Sequence, residues 1–499
     1  MTSRASAPVP NLHAMRSALG LSVRGVLIRA FVAGLLHALV GSVVARPLDL
    51  DQAIALALQN NPSVASAESA TRAARARVGV ARVGLLPRLQ LDQSFSRSFV
   101  HATAPTPQLG GAVAGIPIVQ YTSLERSNVS LSQLVTDFGR TRHRVFAARH
   151  AAHATKYGEY ARRAQLVQDV HLAYTAVNLD QRLLAIARAA SRVRGSLFEK
   201  VESGFKEGIR PRYDVGRARL DLQNAQLAVL FAEGELAREQ FAFEGLLGVA
   251  GAGARPLVDD LDAPVVVPAA SGLVEQALLR RPELQAAAAQ VRVAQDNLAS
   301  ARAERYPSIN SGGTYAHDDG TFGPGDAWSL AVVGSVPIFD GFQAQQDVRV
   351  ARAQVDQAQA DLRAEQLLVT QEVRTAILEL EVARARLLEA GVLQARAQEN
   401  IDLASGRYTE GVGSIIEVTD AQLNVTGANQ AVAHAKADQQ AAATRLARAA
   451  HLYPASYFPV HAPDEPAPPG PVTAPPAVGG PPPSAGTVSA LKASLFTGR

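Results

Sequence analysis

Glu417 and Asp420 stand three residues apart, a spacing that puts two carboxylates on nearly one face of a helix. Close acids of this kind oppose each other's ionisation and attract cations. The matching earlier stretch holds Asp214 and Arg217, so one acid of that pair is replaced by a base. His143, His150 and His153 are the other grouping of ligand types, and we read them as a solvated helix face rather than a metal site. There is no GxSxG and no Ser/His/Asp set. The cysteine count is 0, which excludes disulfides, a thiol nucleophile, Cys-based metal sites and a lipidated N-terminal cysteine. We expect no catalytic centre, no metal and no cofactor.

The acids sit in a stretch that the chain carries twice. "EGVGSIIEVTDAQ" (410–422) has the outline of "EGIRPRYDVGRAR" (207–219), with Gly411 against Gly208 and Glu417 against Asp214, an offset of 203 (411 − 208; 417 − 214). Asp340 in "PIFDGF" matches Asp137 in "LVTDFG" at the same offset (340 − 137). Upstream, Pro282 matches Pro62 and Pro307 matches Pro87 at an offset of 220 (282 − 62; 307 − 87). The first copy thus has 17 more residues between its second proline and its aspartate (220 − 203), placed in the Gly/Pro/Thr-rich stretch 102–119, which reads as a loop. Two copies make a duplication rather than a solenoid.

Each copy reads as helix, strand pair, very long helix, turn, helix. No proline occurs from Phe138 to Arg210, nor between Pro337 and Pro454. About 70 helical residues span on the order of 100 Å, which suits a rod or the wall of a tube. In the second copy Val348, Val355, Leu362 and Val369 recur every seven residues, with Ala351 and Ala358 at companion positions. That is coiled-coil spacing with small residues at the seam. Strands are expected at 88–100, 121–137, 306–318 and 326–340. They alternate apolar with small or polar residues: Leu89, Leu91, Phe95 and Phe99 in the first, Val129, Leu131 and Val135 in the second, Trp328, Leu330, Val332, Val336 and Ile338 in the last. Strands of about ten residues with one apolar face match an outer-membrane barrel, and Tyr306, Tyr315, Trp328 and Phe339 near their ends match its aromatic girdle. Four strands alone close no barrel of useful bore; several copies of the chain do.

Residues 1–45 read as an export signal, with Arg16, Arg24 and Arg29 before the apolar run 30–45 and cleavage after Ala45. The domain reading is a first repeat over 48–247, a Gly/Pro-rich linker over 248–272, a second repeat over 273–452 and a Pro-rich, disordered tail over 453–499. The net charge of +4 is scattered along helices between acids, without a basic block, so nucleic acid is not an expected partner.

The duplicated order of these features resembles the TolC-like outer membrane efflux proteins. The resemblance spans about residues 48–452 and rests on "DFGR" and "FDGF" at the strand-to-helix junctions and "EG…(D/E)V…A" at the turns. It implies a mainly α protein with a membrane β-barrel, in which each of three protomers gives four strands to a shared barrel and long coiled-coil helices to a periplasmic tunnel. It implies an exit duct for drug efflux or type I secretion, embedded in outer membrane lipid. The implied partners are a periplasmic adaptor (membrane fusion) protein and an inner-membrane pump of RND or ABC type. It also implies that the two turns, Gly208, Ile209 and Arg210 with Gly411, Val412 and Gly413, dock the adaptor. Glu417 and Asp420 then ring the periplasmic constriction, with Asp214 beside them and Arg217 as a bridging cation. The competing reading is an elongated periplasmic coiled-coil scaffold without a channel, which would have no use for four amphipathic strands.

Overall fold

A computed structural model describes residues 47–105, 115–251, 255–265, 271–321 and 323–458. The export signal and the stretch from Pro463 onward lie outside the described residues. The first copy comprises helices α1 (Leu50–Asn60) and α2 (Pro62–Val83), strands β1 (Arg88–Pro105) and β2 (Gly115–Thr136), and helices α3 (Arg140–Lys206) and α4 (Arg212–Leu247). The second comprises α5 (Leu273–Arg280), α6 (Pro282–Ala303), β3 (Ser308–Gly320), β4 (Gly325–Ser335), α7 (Gln343–Thr409) and α8 (Ile415–Ala449).

The duplication holds to the residue in the long helices. α3 and α7 are each 67 residues long, and both their starts (343 − 140) and their ends (409 − 206) are 203 apart. The first expected helix of each copy is broken in two by its proline. Asn61 ends α1 and caps α2, its side chain accepting from the Ser63 N–H at 2.9 Å, and Pro62 takes the first position, where no N–H is needed. The seven-residue seam of α7 runs on past Val369 through Ala376, Ala383, Ala390, Ala397 and Ala404, all buried. Alanine along this lower half lets neighbouring helices approach closely.

The expected strand pairs form one antiparallel sheet in the order β1-β2-β3-β4. Its register aligns Leu91, Val129, Tyr315 and Trp328 in one row across all four strands, with Leu89, Leu131, Gly313 and Leu330 in the next. The opposite face carries Gln90, Ser130, Thr314 and Ser329, then Asp92, Asn128, Ala316 and Ala327. Among the described residues, both edge strands pair on one side only. The structure corrects the strand ends. β1 and β2 run on to Pro105 and from Gly115, so both ends of the expected loop 102–119 are paired strand; residues 106–114 lie outside the described set. β4 stops at Ser335, before Pro337, whose missing N–H ends the ladder.

The linker is packed on the helices: Leu257 and Leu261 are buried, and Leu257 bridges to Leu48. Tyr174 from α3 donates its hydroxyl to the Val258 carbonyl at 2.7 Å. The tail boundary at 453 is too early, because Tyr453 and Tyr457 pack on the core around α1 and the Tyr457 hydroxyl donates to Asp51 at 3.0 Å. Among the described residues, no helix is long and apolar enough to cross a membrane.

Candidate functional site at the helical tips

The end of the bundle farthest from the sheet holds the two turns. Gly208 (φ 76°) and Gly411 (φ 80°) take the left-handed conformation that ends each long helix at low cost. The N–H groups of Ile209 and Arg210 both donate to the Gly204 carbonyl at 2.8 and 3.1 Å. Those of Val412 and Gly413 both donate to the Arg407 carbonyl at 3.0 and 2.9 Å. The two turns are the same structure 203 residues apart (407 − 204). Ile209 and Val412 project from them, 69% and 67% exposed.

Beneath the turns, one core unites both copies: Val201 and Ala218 from the first hairpin pack with Ala404, Tyr408, Ile415, Val418 and Ala421 from the second. The copies differ where they cross. Arg210, matched by Gly413, lays its guanidinium 4.0 Å from the centre of the Tyr408 ring and donates from Nη2 to the Tyr408 carbonyl at 3.0 Å. A Cβ on Gly204 would meet Arg210 Cγ at 2.8 Å, so this glycine makes room for that crossing. The Tyr408 hydroxyl donates to Asp214 Oδ2 at 3.4 Å, and both residues are buried. Burial pushes the Tyr408 phenol above its ordinary pKa; Arg210 opposes the shift and Asp214 adds to it. Tyr408 therefore stays a neutral hydrogen-bond donor.

The expected acids separate into two kinds. Glu417 and Asp420 are exposed on α8, as their spacing predicts. Glu417 also closes a capping box with Ser414 and pairs with Arg407 at 3.3 Å. Asp214 is not open beside them but enclosed under Tyr408. Arg217 pairs within its own helix with Asp221 at 3.2 Å, and the cation that crosses between the hairpins is Arg210. The histidines are not a solvated face. His143 Nδ1 lies 3.1 Å and His150 Nε2 3.6 Å from the two carboxylate oxygens of Asp296, tying α3 to α6. Among the described residues no group of three or more ligand types is placed to hold a metal ion.

Tyr408 and Arg407 escaped the sequence reading. The usable signal was the mismatch of the copies at the 203-residue offset: Tyr408 against Phe205, and Arg210 against Gly413.

An amphipathic sheet with open edges, carried on two long hairpins whose tips share a core, defines a class: a membrane channel subunit with a helical duct. A family profile described as "Outer membrane efflux protein" matches residues 53–249 and 273–450. The chain belongs to that family, and it is the outer membrane exit duct of an efflux system. It is 27% identical over 402 residues to the probable efflux pump outer membrane protein SepC of Pseudomonas putida, covering 79% of this chain and 82% of the relative. It is 25% identical over 384 residues to the outer membrane protein OprJ of Pseudomonas aeruginosa, covering 75% and 78%. In fold it is similar to a membrane protein from Pseudomonas aeruginosa, with a TM-score of 0.71 at 23% identity over 80% of this chain and 90% of that one. It is likewise similar to the outer membrane protein VceC of Vibrio cholerae, with a TM-score of 0.68 at 19% identity over 80% and 95%.

Proposed function

We propose that three copies of the chain close a twelve-stranded barrel (3 × 4 strands) and carry small apolar compounds out through it. The observation behind this is the sheet itself, four strands with one apolar face, one small polar face and two unpaired edges. An unpaired edge in lipid leaves main-chain groups unsatisfied, and closure with further copies removes it. The cargo reading rests on relatives. The matched Pseudomonas putida proteins include a toluene efflux pump outer membrane protein, TtgF, and an antibiotic efflux pump outer membrane protein, ArpC. These names favour efflux over type I secretion. The chain acts as a passive conduit, with transport driven by an inner-membrane pump joined through a periplasmic adaptor. The exposed turn residues Ile209 and Val412, with Gly208, Arg210, Gly411 and Gly413 shaping them, form the adaptor's docking surface.

At the tips, threefold symmetry gathers six carboxylates (3 × Glu417 and Asp420) around the axis as a cation-binding constriction. The Tyr408–Asp214 contact, with Arg210 over the ring, holds the two hairpins of each copy together in the closed state. The decisive test is reconstitution in planar bilayers. Oligomers that conduct ions and are blocked by divalent cations support the proposal; a chain that stays monomeric in mild detergent and conducts nothing overturns it. A deletion strain sensitised to solvents and antibiotics, with its secreted proteins unchanged, separates efflux from secretion.

A further inference from the structure

We infer that a groove between α3, α4 and α8, well above the tips, binds amphiphilic organic cations as a class of cargo. The inference rests on the proposed duct and names part of what it carries. The groove encloses about 360 Å³. Its floor is apolar: Ala176, Leu179, Leu183 and Ala187 from α3 meet Ala228 and Ala232 from α4. Alanine dominates that floor, so the space comes from small side chains. Gln430 from α8 closes one side. A concave, mainly apolar site with a few polar groups suits a small organic molecule.

The charged groups at the rim are mostly acids. Asp180, Glu235 and Glu239 stand with Arg238, for a net charge of −2 (1 − 3). That cation is held within its own helix, since Arg238 pairs with Glu235 and, at 3.4 Å, with Glu239. Asp180 is half-buried and has no ion-pair partner among the described residues. Burial raises its pKa, and Glu239 and Glu235 add to the rise; Arg238, and His434 from α8, oppose it. A carboxylate both desolvated and set among like charges gains by meeting a cation. A hydrated metal ion would leave the apolar floor unused. An organic cation with an apolar body uses the floor and the acids together.

The groove lies on the bore side of the wall. On α3, Tyr174 and Asn178 donate to the Val258 carbonyl of the linker, and Arg182 pairs with Asp259. Tyr174 also packs with Ile54 and Ala57 of α1. Leu183 is nine residues further on (183 − 174), about two and a half turns, so it leaves α3 on the opposite face. A duct whose wall carries an extra layer keeps its bore clear only with that layer outside. The linker and α1 are that layer, and the groove opposite them opens inward. Asp180 stands 26 residues (206 − 180) before the end of α3, about 40 Å from the turns. The site is therefore separate from Glu417 and Asp420. The duplication does not repeat it: Asp180 is matched by Ala383 (383 − 180), which is buried in the α7 seam.

Tetraphenylphosphonium is a probe of this class, and tetraphenylborate has the same shape with the opposite charge. Binding of each to the full chain in mild detergent is read by equilibrium dialysis. The native chain should hold tetraphenylphosphonium at least fivefold more tightly than Asp180→Asn does, with no such preference for tetraphenylborate. Ala228→Phe, at an exposed position, fills the groove and should also cost at least fivefold. Should one variant misfold, the other carries the same expectation. Equal binding of tetraphenylphosphonium by the native chain and both variants is partition into detergent and overturns the site. Conductance of the native preparation in planar bilayers separates the two readings. A conducting chain whose binding is indifferent to Asp180 overturns the groove and leaves the duct standing; a chain that conducts nothing overturns the duct. In a deletion strain, Asp180→Asn should restore less resistance to tetraphenylphosphonium than the native chain, and equal restoration overturns the cargo role.

Discussion

At the scale of single residues, the tips separate side chains that fix the hairpins from side chains that face solvent. Asp214 is a buried carboxylate whose one side-chain partner among the described residues is a tyrosine hydroxyl. Tyr408→Phe removes that donor and leaves the acid desolvated, at a cost of about 1–3 kcal/mol to the closed arrangement. We expect a higher resting conductance in bilayers with the fold intact by circular dichroism. Glu417 and Asp420 are different, because they face solvent. Glu417→Gln with Asp420→Asn removes the charges while keeping side chains of the same size, and glutamine can still close the box with Ser414. Single-channel recordings should show weaker block by divalent cations, and an unchanged block would remove the pair from the constriction. Gly208 and Gly411 were legible as turns because a left-handed helix end needs glycine. Tyr408 was not legible, because the partner that gives it meaning is 194 residues away.

At the scale of elements, the seam of α7 explains both what was readable and what was not. A seven-residue period shows in the sequence wherever valine and leucine mark it, as at Val348 to Val369. Its lower half is written in alanine, which helices also use on exposed faces. Burial resolves the ambiguity, since Ala383, Ala390 and Ala397 are all enclosed. Ala390→Leu should overpack this seam and cost about 1–3 kcal/mol, read as a lowered thermal midpoint. A neighbouring contact supplies a pH dependence. His171 on α3 lies 2.8 Å from the Thr444 hydroxyl on α8, and burial lowers its pKa, with Asp260 acting in the opposite direction. A base with a depressed folded pKa gives its full stability above the unfolded value near 6.5. That stability is lost as pH falls from there through the folded value. Thermal melts should therefore decline below about pH 6.5, and His171→Gln should flatten that decline. Strand ends were less legible than helices, because hairpin pairing, as at β1 and β2, extends through Gly, Pro and Thr residues that read locally as a loop.

At the scale of the whole molecule, most of the architecture was open to reading because it is written twice. Two helix–hairpin–helix units with matched prolines, aspartates and glycines constrain each other, where one unit alone would have been ambiguous. The shared tip core could not be read, since it depends on where the two units cross. The equal length of the two long helices has a mechanical consequence. Both count 67 residues, so the structure is a double ruler whose two scales must agree at the tip. Cutting one heptad from α7 and the matching heptad from α8 keeps every seam in phase but lifts that hairpin by about 10 Å. Tyr408 would then no longer reach Asp214, and Ile415 and Val418 would leave the common core. The same cut made in both hairpins shortens the duct evenly. We expect the one-sided deletion to abolish assembly, read as lost oligomer in detergent. The two-sided deletion should restore assembly and yield a conducting channel that fails in cells, because it no longer spans the distance to its adaptor.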